Sequence, residues 1–304
     1  MQSRTEKNKQ KQESIEEEEK REKVKKRAKI VMISLILLFL FFSTSYLYIT
    51  YIGTKHVVVI EKVVQSSHLP DSFQGKKVIH FSDMHYGSTF FLDDIKKLVS
   101  EINKRKPDLV FFTGDLIDEN YDLSTTEAEQ IMSELKKIKT SIGKYAVPGE
   151  EDIELFQTIM NQSDFTILNN DYDLVYSSDQ RPILVVGLGS LTTDRNIDHA
   201  FRYFKEENHN SNIYTITLLH EPDSIDEVKS TYKTDLALAG HSHNGGIRLP
   251  FVGGIQKVDG AKTYHEQYYH LKDTELYISS GLGTSGYSIR IHNRPSIYFF
   301  RLRK

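Results

Sequence analysis

The chain has 304 residues, 38% of them hydrophobic, which allows a sizeable buried core and argues against wholesale disorder. The formal net charge of −3 gives no sign of the basic face of a nucleic-acid binder. There is no cysteine, which excludes disulfides, zinc fingers and thiol nucleophiles and leaves His, Asp, Glu, Asn and backbone oxygens as metal ligands.

Residues 1–29 carry eleven Lys/Arg against seven Asp/Glu, so they sum to +4 and the remaining chain to −7. This segment has no aromatics and contains the run Glu16-Glu17-Glu18-Glu19, so it reads as a charged tail, disordered or loosely helical. Residues 30–53 hold no charge at all. A helix of about 23 residues spans roughly 35 Å, enough to cross a hydrocarbon core. Tyr46, Tyr48 and Tyr51 fall at its far end, where amphipathic rings favour the interface. Residues 20–29 hold seven basic groups against the single acid Glu22, and Lys55 and Lys62 are the only basics soon after the span. The positive-inside rule then predicts a single-pass cell-membrane protein, with its N-terminus cytoplasmic and residues 54–304 outside. Ser43-Thr44-Ser45 keeps open a second reading, a cleaved signal peptide.

Beyond the span, strand-like and helix-like patterns alternate. Residues 57–60 with 63–64, and 78–81, read as strands, and 93–104 has helical spacing through Ile95, Leu98, Val99 and Ile102. A strand at 109–112, a helix at 125–138 and a strand at 145–147 follow. Later strands are expected at 183–186, 214–219, 236–239, 276–279 and 297–302. Alternation of this kind predicts α/β layering, and no repeat or low-complexity linker divides residues 54–304, which read as one domain.

Polar residues fall in a pattern. Separate apolar strands each end in residues of metal-ligand type: Asp83 with His85, Asp115, His220, and His241 with His243. In open α/β sheets, ligands bind at the carboxyl ends of strands. Loops converging there would gather carboxylates and imidazoles into one crevice. In Asp83-Met84-His85 and His241-Ser242-His243, residues two apart on a strand share a face and so would enter the same cleft. Gly114, before Asp115, permits a tight turn.

The chain resembles the calcineurin-like metallophosphoesterases, whose five blocks run D-x-H, G-D-x-x-D, G-N-H-D/E, H and G-H-x-H. Here they stand as Asp83-Met84-His85, Gly114-Asp115-Leu116-Ile117-Asp118, Gly149-Glu150-Glu151-Asp152, His220 and Gly240-His241-Ser242-His243. Leu218-Leu219-His220-Glu221-Pro222-Asp223, Asn244-Gly245-Gly246-Ile247-Arg248-Leu249-Pro250, and Gly281-Leu282-Gly283-Thr284-Ser285 with Arg290 and Asn293-Arg294-Pro295 resemble a membrane-anchored bacterial subgroup. That subgroup is related to UDP-2,3-diacylglucosamine pyrophosphatase. The resemblance implies a four-layer α/β/β/α sandwich, preceded here by the transmembrane helix. It implies two divalent cations, Mn2+, Fe2+ or Zn2+. Asp83, His85 and His243 would hold one, His220 and His241 the other, and Asp115 would bridge them as a catalytic group. Asp118 and Asp152 would orient neighbours from behind the site. Arg248 could touch substrate phosphate or form a surface salt bridge.

The third block departs from the pattern. Glu150 stands where the family has Asn; it can still ligate the second cation, with an added negative charge. Glu151 stands where the family has the His that contacts phosphate and assists the leaving group. Acid assistance is worth about 10²–10⁴-fold, so its loss is serious but need not abolish activity. Glu151 could act as the acid itself, or be set aside. Substrates with a stable leaving group would suffer least.

The expected activity is hydrolysis of a phosphodiester or pyrophosphate, lipid-linked or nucleotide-sugar, at the membrane bilayer, with no nucleic-acid partner. Three alternatives stay open: a metal-binding but catalytically degenerate regulatory protein, a binding module for envelope polymers or a partner protein, and a cytoplasmic nuclease, against which the acidic balance and the membrane span both argue. Among other candidates, His265 and His270, flanked by Tyr264, Tyr268 and Tyr269, could line a pocket or lie on a half-buried aromatic strand or loop. His80, inside a strand, is expected to pack or hydrogen-bond in the core.

Overall fold

The computed structural model describes residues 4–152, 155–193, 195–206 and 212–304. The chain divides into two compact units, one ending at Tyr48 and the other comprising Ile49–Lys304. In the first, Arg4–Leu47 forms one continuous helix, α1, with no buried residue. Glu, Lys, Arg and Gln are good helix formers, so the charged tail continues the helix of the apolar segment. Among the described residues, this is the single helix long and apolar enough to cross a membrane.

The second unit contains two six-stranded sheets. The first comprises β1 (Val58–Gln65), β2 (Lys77–Phe81), β3 (Leu109–Thr113), β4 (Gly143–Val147), β5 (Thr166–Ile167) and β14 (Ser296–Arg303), in the order β1-β14-β2-β3-β4-β5. The second comprises β6 (Asp171–Val175), β7 (Ile183–Gly187), β8 (Thr215–Leu218), β9 (Leu236–Ala239), β12 (Tyr268–Leu271) and β13 (Thr274–Ile278), in the order β12-β13-β9-β8-β7-β6. A short hairpin, β10 (Arg248–Leu249) with β11 (Gly253–Gly254), stands apart. Strands β2 to β5 run parallel, as do β7, β8, β9 and β13, so each sheet gathers several carboxyl ends at one edge.

Side-chain alternation explains the layers. In β3, Leu109 and Phe111 turn inward and pack with Leu218, Leu236 and Leu238 of the other sheet in the central core. Val110 and Phe112 turn outward, against α2 (Leu92–Arg105), α3 (Thr125–Lys136) and α4 (Leu155–Gln162). The second sheet repeats the arrangement: Leu184, Val186, Ala237 and Ala239 face Ala200 of α5 (Ile197–Ala200) and Ile225 and Val228 of α6 (Ile225–Thr231). Burying both faces of parallel strands is what makes them read as unbroken apolar runs. Helix α3 starts at Ser124, whose hydroxyl accepts from the Glu127 amide while the Glu127 carboxylate returns to the Ser124 amide, a capping box. The fold is thus the helix–sheet–sheet–helix sandwich that the resemblance implied.

Candidate metal centre

Every residue of metal-ligand type singled out above lies just past a strand. Asp83 and His85 follow β2, Asp115 follows β3, Glu150 follows β4, His220 follows β8, and His241 and His243 follow β9. Their shared direction does not come from strand alternation. Asp83, His85, Asp115, His241 and His243 all adopt positive φ, between 38° and 65°. This left-handed region is uncommon for residues other than glycine and costs free energy that tends to be tolerated at functional sites. Gly114 makes the crossing possible: at φ 86°, a Cβ there would stand 2.5 Å from His220 Nδ1 and 2.6 Å from the Gly149 amide nitrogen.

The side chains form two adjoining groups. Asp83, His85 and His243 make one, and Asp115, Glu150, His220 and His241 the other, while His85, Asp115 and Glu151 form a third that overlaps both; within each, the ligand atoms lie within 4.8 Å of one another. His85 Nε2 is 3.0 Å from His243 Nε2, which is 3.6 Å from Asp83 Oδ1. His220 Nε2 is 3.1 Å from Asp115 Oδ2 and 2.8 Å from Glu150 Oε2. Asp115 Oδ2 also faces the first group, 3.7 Å from His85 Nε2. Two atoms bound about 2.1 Å from one cation lie about 3.0–3.4 Å apart in tetrahedral or octahedral geometry. These spacings within the two groups, 2.8–3.6 Å, bracket such edges.

His220 Nε2 and Glu150 Oε2 are buried and make no hydrogen bond, although only 2.8 Å separates them. These orphaned atoms, with a donor set of imidazole nitrogen and carboxylate oxygen free of sulfur, fit a divalent cation.

The surroundings fix each ligand. His220 Nδ1 donates to the Thr113 carbonyl at 2.7 Å, which leaves Nε2 free toward the cluster. His241 is turned the other way: Nε2 donates to the Asp259 carbonyl at 2.6 Å and Nδ1 faces Glu150 at 2.7 Å. Asp83 accepts from the His241 amide at 2.8 Å and from the Ser82 hydroxyl. Asp152 accepts from the amides of Asp115 (2.7 Å), Leu116 (2.9 Å) and Gly149 (2.9 Å), tying the loops after β3 and β4 together. Partners of this kind orient ligands and raise their basicity.

Charge is concentrated here. Burial opposes ionisation of His220, yet the carboxylates of Asp115 and Glu150 hold its proton affinity well above that of an ordinary imidazole. His85 is raised to about 9; burial works against the charge, and the Glu151 hydrogen bond and the Asp115 carboxylate outweigh it. Burial also opposes the charge on Glu150, but the His220 and His241 imidazoles beside it keep it far below the usual carboxylate range. Asp83 is pushed up by burial, and so is Asp152, to about 7, with help from the Asp115 charge. Burial, then the charges on His85 and Arg290, push His243 down. A divalent cation would relieve this competition by taking the place of the imidazole protons.

Other residues are placed differently from one another. Asp118 is buried in the turn after β3, where its carboxylate accepts from the Asn120 amide at 3.1 Å. Arg248 does not line the cleft: its guanidinium binds the Asn244 carbonyl at 2.9 Å and pairs with Glu266 at 2.5 Å. The arginine that does line it is Arg290, which donates to the carbonyls of Ser280 and Gly283 and stands 3.5 Å from His243 Nδ1. Burial lowers its pKa to about 10. Gln256, Val258, Thr284, Ser285, Tyr287 and Ile289 complete the cleft wall. His265 and His270 lie outside it, and His270 sits on β12 paired with Glu275 at 2.7 Å. His80 hydrogen-bonds Thr113 Oγ1 at 2.8 Å in the core. The contributions of Tyr287 and the Thr113 and Asp259 carbonyls carry no signal in residue type or spacing; Ser285 and Arg290 stood within a quoted motif without a role.

A two-sheet sandwich with His and carboxylate ligands at its strand ends defines the metal-dependent phosphoesterase class. The chain belongs to the calcineurin-like phosphoesterases, hydrolases of phosphoester bonds: the family model matches residues 76–245, more than half of the chain. The metallophosphoesterase YkuE of Bacillus subtilis is 32% identical over 264 residues, covering 85% of this chain and 90% of that protein. The phosphodiesterase YaeI of Escherichia coli is 26% identical over 230 residues, 74% of this chain and 82% of that protein. A transmembrane protein with a metallophosphoesterase domain from Danio rerio is 24% identical over 259 residues; the match spans 79% of this chain but 56% of that protein.

Proposed function

We propose that this chain is a membrane-anchored phosphohydrolase that holds two divalent cations and cleaves a phosphodiester or pyrophosphate. The observation that carries this reading is the convergence of five loops, three of which turn their ligand residues through left-handed backbone, on one cluster of carboxylates and imidazoles. Asp83, His85 and His243 would hold one cation and His220, His241 and Glu150 the other, with Asp115 between them. Bound there, Mn2+, Fe2+ or Zn2+ would neutralise phosphate charge and supply Lewis acidity.

The remaining work is done by the chain. Asp152 fixes the two loops that carry Asp115, Glu150 and Glu151. The Thr113 and Asp259 carbonyls select which imidazole nitrogen of His220 and of His241 faces the site. Arg290 adds a fixed positive charge beside His243, in the cleft where a phosphate would approach. The negative charge of Glu150, where the family block has Asn, lowers the net charge of the centre and weakens its pull on an anion. The phosphodiesterase description of the Escherichia coli relative agrees with diester cleavage.

The tail (1–29) and anchor (30–53) would place the catalytic domain (54–304) outside the cell membrane. The basic flank of the apolar segment supports that orientation. Tethering to a membrane suits a lipid-linked or nucleotide-sugar substrate, as in the subgroup related to UDP-2,3-diacylglucosamine pyrophosphatase. The test is a turnover screen of the full chain in detergent with Mn2+, Fe2+ and Zn2+ in turn, following release of phosphate or phosphomonoester from lipid and nucleotide diphosphates and release of the phenol from an aryl phosphodiester. Metal-dependent turnover abolished by a chelator is expected. Metal bound without turnover of any of them would contradict the hydrolase reading.

A further inference from the structure

Glu151 occupies the position at which the family's histidine meets phosphate and lines the cleft, yet both of its carboxylate oxygens are engaged by protein groups. Oε2 lies 2.9 Å from His85 Nδ1 and accepts from the Glu119 amide at 3.1 Å. Oε1 accepts from the Ser285 hydroxyl at 3.2 Å. The side chain is 9% exposed, and that of His85 is 1% exposed. His85 therefore carries a carboxylate on one nitrogen and presents the other, Nε2, to His243 and Asp83.

We propose that Glu151 is a positioning residue: it fixes the ring and tautomer of His85 for the cation held by Asp83, His85 and His243. This inference rests on the two-cation reading above. A metal-ligating imidazole commonly donates its second N–H to a carboxylate, which sets the ring's orientation and raises its basicity. Glu151 also ties the loop after β4 to Ser285 in the segment after β13, so one carboxylate braces three walls of the cleft. Both oxygens accept hydrogen bonds, so the side chain is held as an acceptor rather than as a proton donor to a departing group. When the attacking oxygen bonds to phosphorus, the bond to the leaving oxygen breaks and its electron pair leaves on that oxygen unassisted by residue 151. The site is therefore matched to leaving groups that are stable as oxyanions, such as a phosphate released from an anhydride or an acidic phenol.

The test is equilibrium binding of Mn2+ to the full chain in detergent, by calorimetry and electron paramagnetic resonance, for wild type, Glu151→Gln and Glu151→Ala. Loss of such a partner typically lowers metal affinity by about 10–100-fold. Glu151→Ala is expected to weaken one of two Mn2+ sites by that factor and to leave the other unchanged. Glu151→Gln, whose amide oxygen can still accept from His85 Nδ1, is expected to recover part of the loss; a merely structural role would show no such rescue. Equal weakening of both sites, or none, overturns the proposal. If the alanine variant does not fold, the glutamine variant decides by the same criterion. Absence of Mn2+ binding in wild type would instead remove the two-cation reading itself.

Discussion

His85 Nδ1 and Glu151 Oε2 stand 2.9 Å apart, so the third motif of this chain reaches back to a ligand of the first rather than out to substrate. The replacement of the family's histidine reads in the structure as a change of partner. Its consequence for activity is measurable: rates on a series of aryl phosphodiesters should fall steeply as the leaving phenol becomes more basic. Acid assistance contributes about 10²–10⁴-fold where present, so a flat series would show that a proton donor operates in the cleft.

Asp152→Asn removes the carboxylate that receives three backbone amides. Its single carbonyl oxygen cannot serve all three, and a buried donor left unpaired costs about 1–3 kcal/mol. Urea denaturation should show a loss of that size, together with weakened Mn2+ binding because the loops bearing Asp115 and Glu150 are no longer tied.

Gly114→Ala should be more disruptive than its size suggests. The added methyl would meet His220 Nδ1 and the backbone of Gly149, and the backbone there has φ 86°. Strain of this kind costs about 1–3 kcal/mol. Thermal unfolding would register the loss, and metal analysis should show reduced occupancy, since His220 must move.

His80 titrates far from its ordinary range: burial lowers its pKa from 6.5 to about 3. The unfolded chain then binds a proton below about 6.5 that the folded chain refuses, so stability falls as pH drops from 6.5 toward 3. Each pH unit costs up to about 1.4 kcal/mol. In metal-free protein, His80→Leu should lose less stability than wild type between pH 6.5 and 5, measured by urea denaturation. Parallel pH profiles would show that His80 is not excluded from protonation.

Much of this architecture is legible in the sequence because parallel strands buried on both faces leave continuous apolar runs. Leu109–Thr113 and Leu236–Ala239 lie where those runs predict. The charged or aromatic edge strands Asp171–Val175 and Tyr268–Leu271 are less visible, since their side chains are half-exposed and alternate weakly. The cluster at the strand ends is legible through residue type. Its geometry is not, because left-handed turns at Asp83 and His85 replace the strand alternation that their spacing suggests. Arg248 illustrates a different limit: a cation near the motif finds Asn244 and Glu266, while a buried arginine from the far end of the chain, Arg290, lines the cleft.

The central claim is that these side chains hold a pair of cations. Anomalous diffraction from crystals of the catalytic domain soaked in Mn2+ tests it most directly. Two peaks are expected, one among Asp83, His85 and His243 and one among Glu150, His220 and His241, with Asp115 touching both. No peak within the cluster, or an ion seated elsewhere while Asp115 and His220 pair only with each other, would contradict the account.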